Sequence, residues 1–100
     1  MKVQIEVTRE DLDLGIMCSI HRCPVARAIS RSLAGYWEVG VFTVVCRDVN
    51  RNYLYGTDLP PKAANFIKAF DGLHEKDRGK LAPISFELSV PDSAQKKGEW

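Results

Sequence analysis

Cysteine is scarce in this 100-residue chain and neither sign of charge dominates it, since there are three cysteines, 14 basic residues and 13 acidic ones. An odd number of thiols does not form a disulfide framework, so reduced cysteines or metal ligands are the favoured interpretations. The formal net charge of +1 at pH 7 argues against a protein that binds DNA chiefly by neutralising phosphates, although it leaves room for a local basic patch.

Long apolar runs and the common enzyme signatures are missing as well. No run approaches the roughly 18 apolar residues of a membrane span, and residues 2–8 alternate apolar and polar side chains where a signal peptide would need an apolar core. We therefore expect no membrane span, no signal peptide and a cytoplasmic location. The chain also has no P-loop, dinucleotide-binding fingerprint, G-x-S-x-G elbow or H-E-x-x-H pair. These absences predict a protein that is not an enzyme.

Paired carboxylates, a common arrangement for acid–base catalysis, are present in the chain but in unpromising places. Asp11 with Asp13, and Glu75 with Asp77, lie in predicted loops or a short helical turn. Such positions offer no apolar setting that would raise a carboxyl pKa, so general acid–base catalysis is unsupported.

The composition that remains, 45% hydrophobic and 27% charged, is typical of a folded globular domain. We place one domain at residues 1–91 and a polar C-terminal tail at residues 92–100. The predicted elements are a strand over residues 2–8, a capped helical turn over Arg9–Leu14, a helix from Pro24 to near Gly35, one central strand within Tyr36–Asp48, a partner strand at Tyr53–Tyr55 closed by Gly56, a helix opened by Asp58–Pro61, a charged loop over Gly72–Leu81 and a strand within Pro83–Pro91. The order β-α-β-β-α-β is typical of a ferredoxin-like α+β sandwich, with a single sheet and two helices on one of its faces.

The densest chemical cluster is Cys18, His21 and Cys23, two thiols and an imidazole within six residues. Zinc favours four nitrogen and sulfur ligands in a tetrahedron, so these three side chains are candidate metal ligands, with Cys46 or His74 as a distant fourth. The spacing is irregular, however, and a cysteine in an apolar strand is more often a small buried hydrophobe. The sequence therefore requires no cofactor and leaves zinc as an alternative.

Cys23 has a second interpretation as the residue that caps the helix beginning at Pro24. A thiol at a helix N-terminus beside Arg22 can have a lowered pKa and act as a nucleophile. Catalysis would also need a base and an oxyanion hole, and no carboxylate is assigned to orient His21. A structural role in the turn is the favoured interpretation.

Three arginines, Arg22, Arg27 and Arg31, lie at the start of that helix and along it. Free amides at a helix N-terminus together with basic side chains can hold an anion such as a phosphate or a nucleotide. The alternative is an ordinary solvated helix face, which carries its charges at the same positions.

Two tyrosines, Tyr53 and Tyr55, are expected to share one face of a strand flanked by Arg47 and Arg51. Bases of RNA stack on aromatic side chains displayed in this way, which makes the pair a candidate nucleic-acid contact. The aromatic-glycine signature of the common RNA-binding sheet module is missing, and half-buried hairpins often carry tyrosines.

A sparse set of residues runs through the chain at Thr8–Leu12, Gly15, Cys18, Cys23–Ile29, Leu59–Pro60, Ala63 or Ala64, Phe66–Ile67, Phe70–Gly72 and Pro83–Leu88. Over roughly residues 3 to 90, this pattern resembles a family of small uncharacterised phage and prophage proteins. The resemblance implies a phage-type genomic setting, and it assigns no activity, cofactor or catalytic residue.

Two classes of function compete on these observations. The first is a non-enzymatic phage-type accessory protein that acts by binding, for instance an anti-defence protein that blocks a host complex, similar in action to an anti-CRISPR, or sequesters a signalling nucleotide. The alternative is a nucleic-acid-binding or zinc-stabilised regulatory module. A host protein or complex is the expected partner, with nucleic acid, an anionic nucleotide or a second copy of the chain as alternatives. The expected contact residues are Arg22, Arg27, Arg31, Tyr53 and Tyr55.

Overall fold

The structure is a computed structural model and describes residues 1–94. This part of the chain contains five strands and three α-helices. The elements are β1 (Lys2–Val7), α1 (Arg9–Leu14), α2 (Pro24–Ser32), β2 (Tyr36–Val39), β3 (Thr43–Arg47), β4 (Tyr53–Asp58), α3 (Pro61–Asp71), a 3₁₀ helix (Glu75–Lys80) and β5 (Ile84–Ser89). The predicted α+β class is confirmed. Residues 95–100, which include most of the predicted tail, lie outside the described part.

The strands form two antiparallel sheets, one of β1 with β5 and one in the order β2-β3-β4. The predicted single sheet and the order β-α-β-β-α-β are therefore not confirmed. The main difference is that the region expected to hold one central strand, Tyr36–Asp48, folds back on itself as a hairpin. The Gly40 N–H donates to the Thr43 carbonyl at 2.9 Å and closes the turn. Val41 and the exposed Phe42 occupy this turn. Because both residues are apolar, the sequence predicted a continuous strand here instead of a turn.

Period-two alternation was a reliable signal at both ends of the domain. In β1 the side chains of Val3, Ile5 and Val7 are buried and their neighbours are exposed, as expected of a strand with one face on the core. Strand β5 lies antiparallel to it, with Ile5 opposite Phe86. The apolar faces of both sheets and of α2 and α3 contribute to one hydrophobic cluster, which places the core between them.

Helix α2 begins as predicted, with Cys23 as its N-cap and Pro24 in its first turn. Proline suits that position because its ring sets a helical φ and its missing N–H would have had no partner within the helix. The helix ends at Ser32, a little before the predicted end. Gly35 then adopts a φ of +117°, which a residue with a side chain rarely adopts, and the chain turns into β2.

The predicted charged loop, Gly72–Leu81, contains the 3₁₀ helix Glu75–Lys80 and is tied to the rest of the molecule by two arginines. The guanidinium carbon of Arg78 lies 4.9 Å from the centre of the Phe70 ring, and Arg78 donates to carbonyl groups at the end of α1. Arg9 in turn donates to the carbonyls of Arg78 and Leu81. This charged segment is therefore held in place by arginine guanidinium groups that donate to backbone carbonyls and pack on an aromatic ring.

Candidate functional site

The elements α1 and α2, with the segment that joins them, surround an open groove of about 660 Å³. The side chains that line the groove, called the arginine groove below, are Glu10, Leu14, Ile16, His21, Arg22, Arg27, Ser30 and Arg31. All three arginines predicted as contact residues lie in this one groove. The structure therefore brings Arg22, Arg27 and Arg31 together, although they span ten positions of the chain.

The buried carboxylate of Asp11 contacts two of the groove arginines. The two Nη atoms of Arg31 donate to it, Nη1 to Oδ1 and Nη2 to Oδ2, each at 2.7 Å. The Nε of Arg27 lies 3.5 Å from Oδ1. Two planar N–H groups that meet both oxygens of one carboxylate form the strongest and most directional type of ion pair. Asp11 thereby sets the position of Arg31 and restrains Arg27.

Asp11 also belongs to the capping box that starts α1. The Asp11 N–H donates to Thr8 Oγ1, and the Thr8 N–H donates to Asp11 Oδ2 at 2.9 Å. Burial by itself would raise the pKa of Asp11, but the hydrogen bonds from Arg31 and Thr8 outweigh it and lower the pKa below its usual value. Asp11 is therefore a charged structural anchor. Its threonine cap was visible in the sequence, whereas nothing local indicated its pairing with Arg31.

The charges of the groove are unevenly compensated. Arg27 and Arg31 share the single charge of Asp11, and Glu10 lies 4.0 Å from Arg27. Within residues 1–94 the guanidinium of Arg22 makes no hydrogen bond or ion pair. Arg22 is thus the cation of the groove that is free to contact an anionic partner.

Apolar side chains lie at the rim beside these charges. Leu14 is 57% exposed and Ile16 is 46% exposed, although both are large aliphatic residues. Ile20, in the same connecting segment, is also exposed. The exposed aliphatic side chains offer apolar area that a partner can bury, and arginine is enriched in protein–protein interfaces.

The candidate zinc ligands, Cys18, His21 and Cys23, are engaged by different neighbours. His21 lies against β2, with Nδ1 3.3 Å from the Trp37 carbonyl oxygen and Nε2 3.9 Å from Glu38 Oε2. Cys18 is exposed, whereas Cys23 is buried. In the described part of the chain, no group of three or more His, Cys, Asp or Glu side chains could hold a metal ion.

The thiol of Cys23 performs the structural role that the sequence favoured. Its Sγ accepts a hydrogen bond from the Ala26 N–H at 3.4 Å and caps α2. Burial raises the pKa of this thiol, and the backbone N–H groups of Val25 and Ala26 oppose the rise only in part. The alternative in which the helix N-terminus lowers this pKa does not apply, because burial dominates. A buried, protonated thiol is a poor nucleophile.

The two predicted tyrosines do not share a face, because a β-bulge lies between them. Tyr55 is opposite Cys46, and Tyr53 is opposite the next residue, Arg47. Adjacent residues of a strand point to opposite sides of a sheet, and directly opposed residues share a side. Tyr55 therefore points inward, where its ring meets Trp37 edge-on with 5.8 Å between ring centres. Burial raises its pKa, and Tyr53 remains on the outer side.

No helix within residues 1–94 is long and apolar enough to cross a membrane. Comparisons of the chain with protein-family models, with curated protein sequences and with solved structures yield no match.

Proposed function

We propose that this protein is a non-enzymatic binding protein whose contact site is the arginine groove. The observation that carries the proposal is the convergence of Arg22, Arg27 and Arg31 on one open groove with exposed Leu14 and Ile16 at its rim. Arginine is among the residues that contribute most binding energy in protein interfaces, and exposed aliphatic side chains add apolar area that a partner can bury. The partner is an acidic surface of another protein.

The ion pair between Asp11 and Arg31 preorganises the groove for binding. Asp11 holds the guanidinium of Arg31 by two hydrogen bonds of 2.7 Å, so less side-chain freedom is lost when a partner binds. Restraint of this kind improves affinity because it lowers the entropy cost of association. The open shape of the groove suits a protruding acidic segment of a protein.

The buried thiol supports a binding role over an enzymatic one. Cys23 was the strongest candidate nucleophile, and it is buried, hydrogen-bonded to Ala26 and raised in pKa. The resemblance to small phage and prophage proteins suggests which partner to seek, namely a host protein complex. An accessory protein that blocks such a complex, in an anti-defence role, needs a stable surface and no catalytic residue.

The test uses variants of the full chain as bait in an extract of a bacterial host treated with nuclease. Arg22→Glu reverses the one uncompensated charge of the groove, and Lys62→Glu is the matched control, because Lys62 is an exposed cation on α3 that lies outside the groove. We expect a stoichiometric protein partner that is retained by the wild type and by Lys62→Glu and is lost with Arg22→Glu. Equal retention by both variants would refute the assignment of the groove.

A further inference from the structure

The face of the β2-β3-β4 sheet that points away from the core displays two tyrosines with an arginine between them. Tyr36 is opposite Arg47 across one strand pair, and Arg47 is opposite Tyr53 across the next. This outer face is defined here by Tyr36, Glu38, Arg47 and Tyr53. Neighbouring strands lie about 4.8 Å apart, so the two tyrosines start from backbone positions separated by about 10 Å.

Both tyrosine rings are open to a ligand. Tyr36 is 50% exposed and Tyr53 is 61% exposed. The ring of Tyr53 extends towards Gly56, where a Cβ atom would lie 3.1 Å from the tyrosine hydroxyl. The absence of a side chain at Gly56 therefore leaves room for the ring beside the sheet. The bulge at Leu54 is what places Tyr53 on this side together with Tyr36.

Arginines lie beside the rings. The guanidinium carbon of Arg51 is 5.8 Å from the centre of the Tyr36 ring. The turn that carries Arg51 is fixed by Asp48, whose Oδ1 accepts from the N–H groups of Asn50 and Asn52 at 2.9 Å each. Arg51 itself adopts a φ of +67°. A residue other than glycine in this left-handed region needs support from its surroundings, and the Asp48 hydrogen bonds supply it.

The cations on and beside the outer face are only partly neutralised. Arg47 donates from Nε to Glu38 Oε1 at 3.0 Å, which neutralises one cation. Arg51 and Arg22 form no ion pair with any residue in the described ranges. Both line the same recess as Tyr36, Glu38 and Arg47. Two guanidinium groups without an ion-pair partner in the described ranges therefore lie at the Tyr36 side of the outer face.

We propose that the outer face binds single-stranded nucleic acid, with bases stacked on Tyr36 and Tyr53 and phosphates contacted by Arg51 and Arg22. Exposed aromatic rings and arginines on one surface are what a flexible single strand requires, because every base has a face that can stack. A duplex hides those faces, so it gains only the phosphate contacts. The site is separate from the arginine groove except for Arg22 and His21, and it does not depend on the proposed protein partner.

The test measures fluorescence anisotropy of labelled single-stranded RNA and DNA oligonucleotides, and of the duplex of the same sequence, with the full-length protein. We expect the single strands to bind more tightly than the duplex and binding to weaken as salt rises. Tyr36→Ala and Tyr53→Ala are each expected to weaken binding by about tenfold, the effect of losing one stacked base. Tyr36→Phe retains the ring and is expected to bind as the wild type does.

The matched control is Phe42→Ala, because Phe42 is an exposed aromatic residue at the other end of the β2–β3 hairpin. Circular dichroism and thermal melting show whether each variant is folded. Absence of binding by the wild type would overturn the proposal, as would equal affinity for the duplex or an equal loss with Phe42→Ala. If Arg22→Glu abolishes binding and both alanine variants bind normally, the strand occupies the arginine groove and the proposal is wrong. The protein partner of the groove is expected to be retained by Tyr36→Ala, so the two proposals can fail separately.

Discussion

Replacing Asp11 by asparagine removes one negative charge from the interior and leaves the shape of the side chain almost unchanged. The carboxylate is fully buried and accepts two hydrogen bonds from Arg31. An asparagine has an amide NH2 in place of one carboxylate oxygen, so it cannot accept from both Nη atoms of Arg31 in this two-oxygen arrangement. Thr8 can still donate to the amide oxygen, so most of the helix cap is expected to remain.

The expected loss of stability follows from the exposure of the two partners. Breaking a buried ion pair by changing one partner costs about 3–5 kcal/mol. The Arg31 side chain is 48% exposed, so water solvates the released guanidinium and the loss falls towards about 2–3 kcal/mol. For a domain of this length, that corresponds to a fall in Tm on the order of 10 °C.

The assay is urea unfolding followed by the fluorescence of the buried Trp37, with Asp13→Asn as the matched control. Asp13 is an exposed carboxylate on the same helix, so its replacement is expected to change the free energy of unfolding by less than about 0.5 kcal/mol. A loss below about 1 kcal/mol for Asp11→Asn would show that the pair with Arg31 is not the anchor of the groove.

The same carboxylate predicts a pH dependence. The pKa of Asp11 is lower in the folded protein than in the unfolded chain, where it is about 3.9. Its stabilising contribution is therefore complete above about pH 4 and is lost as the pH falls through the folded-state pKa. Asp11→Asn is expected to flatten this acid limb of the stability profile. An unchanged acid limb in the variant would contradict the ion pair.

Two further predictions concern the backbone and the thiols. Gly35→Ala is expected to lower the free energy of unfolding by roughly 1–3 kcal/mol, because the φ of Gly35 is +117° and the new Cβ would lie 2.6 Å from Cys46 Sγ. The control is Gly79→Ala, whose Cβ would meet nothing within 4 Å. Equal urea midpoints for the two variants would refute the predicted strain at Gly35. With the thiol reagent DTNB, the exposed Cys18 is expected to react in the native state and the buried Cys23 and Cys46 only after denaturation, so fast reaction of a second native thiol would contradict the fold.

The sequence predicted β1, α1 and the start of α2 correctly, because residues close in the chain determine where these elements begin. The alternation that produces β1, the threonine cap of α1 and the proline at the start of α2 all act within four residues of the boundary they set. Arg27 and Arg31 were identified for the same reason, since a spacing of four residues places them on neighbouring positions of α2, and Arg22 was identified because it directly precedes the start of that helix. Such features need no knowledge of the tertiary structure.

Other features depend on pairing between distant segments, and the sequence could not show them. Whether Tyr53 and Tyr55 share a face depends on a bulge, which exists only in relation to β3. The turn at Gly40 contains the apolar residues Val41 and Phe42, whose sequence pattern is typical of a strand. Asp11 looked like a solvated carboxylate because its partner, Arg31, lies 20 positions away. Long-range register and ion pairing are set by the tertiary structure, which overrides local propensity.

The most direct test of the proposed function is native mass spectrometry of the protein isolated gently from a bacterial host, as the wild type and as Arg22→Glu. One spectrum reports a bound protein, metal ion, nucleotide or second copy of the chain through its mass. The proposed function predicts a stoichiometric acidic protein bound to the wild type and missing from Arg22→Glu. A wild type that carries no protein partner, or a partner retained by Arg22→Glu, would contradict binding through the arginine groove.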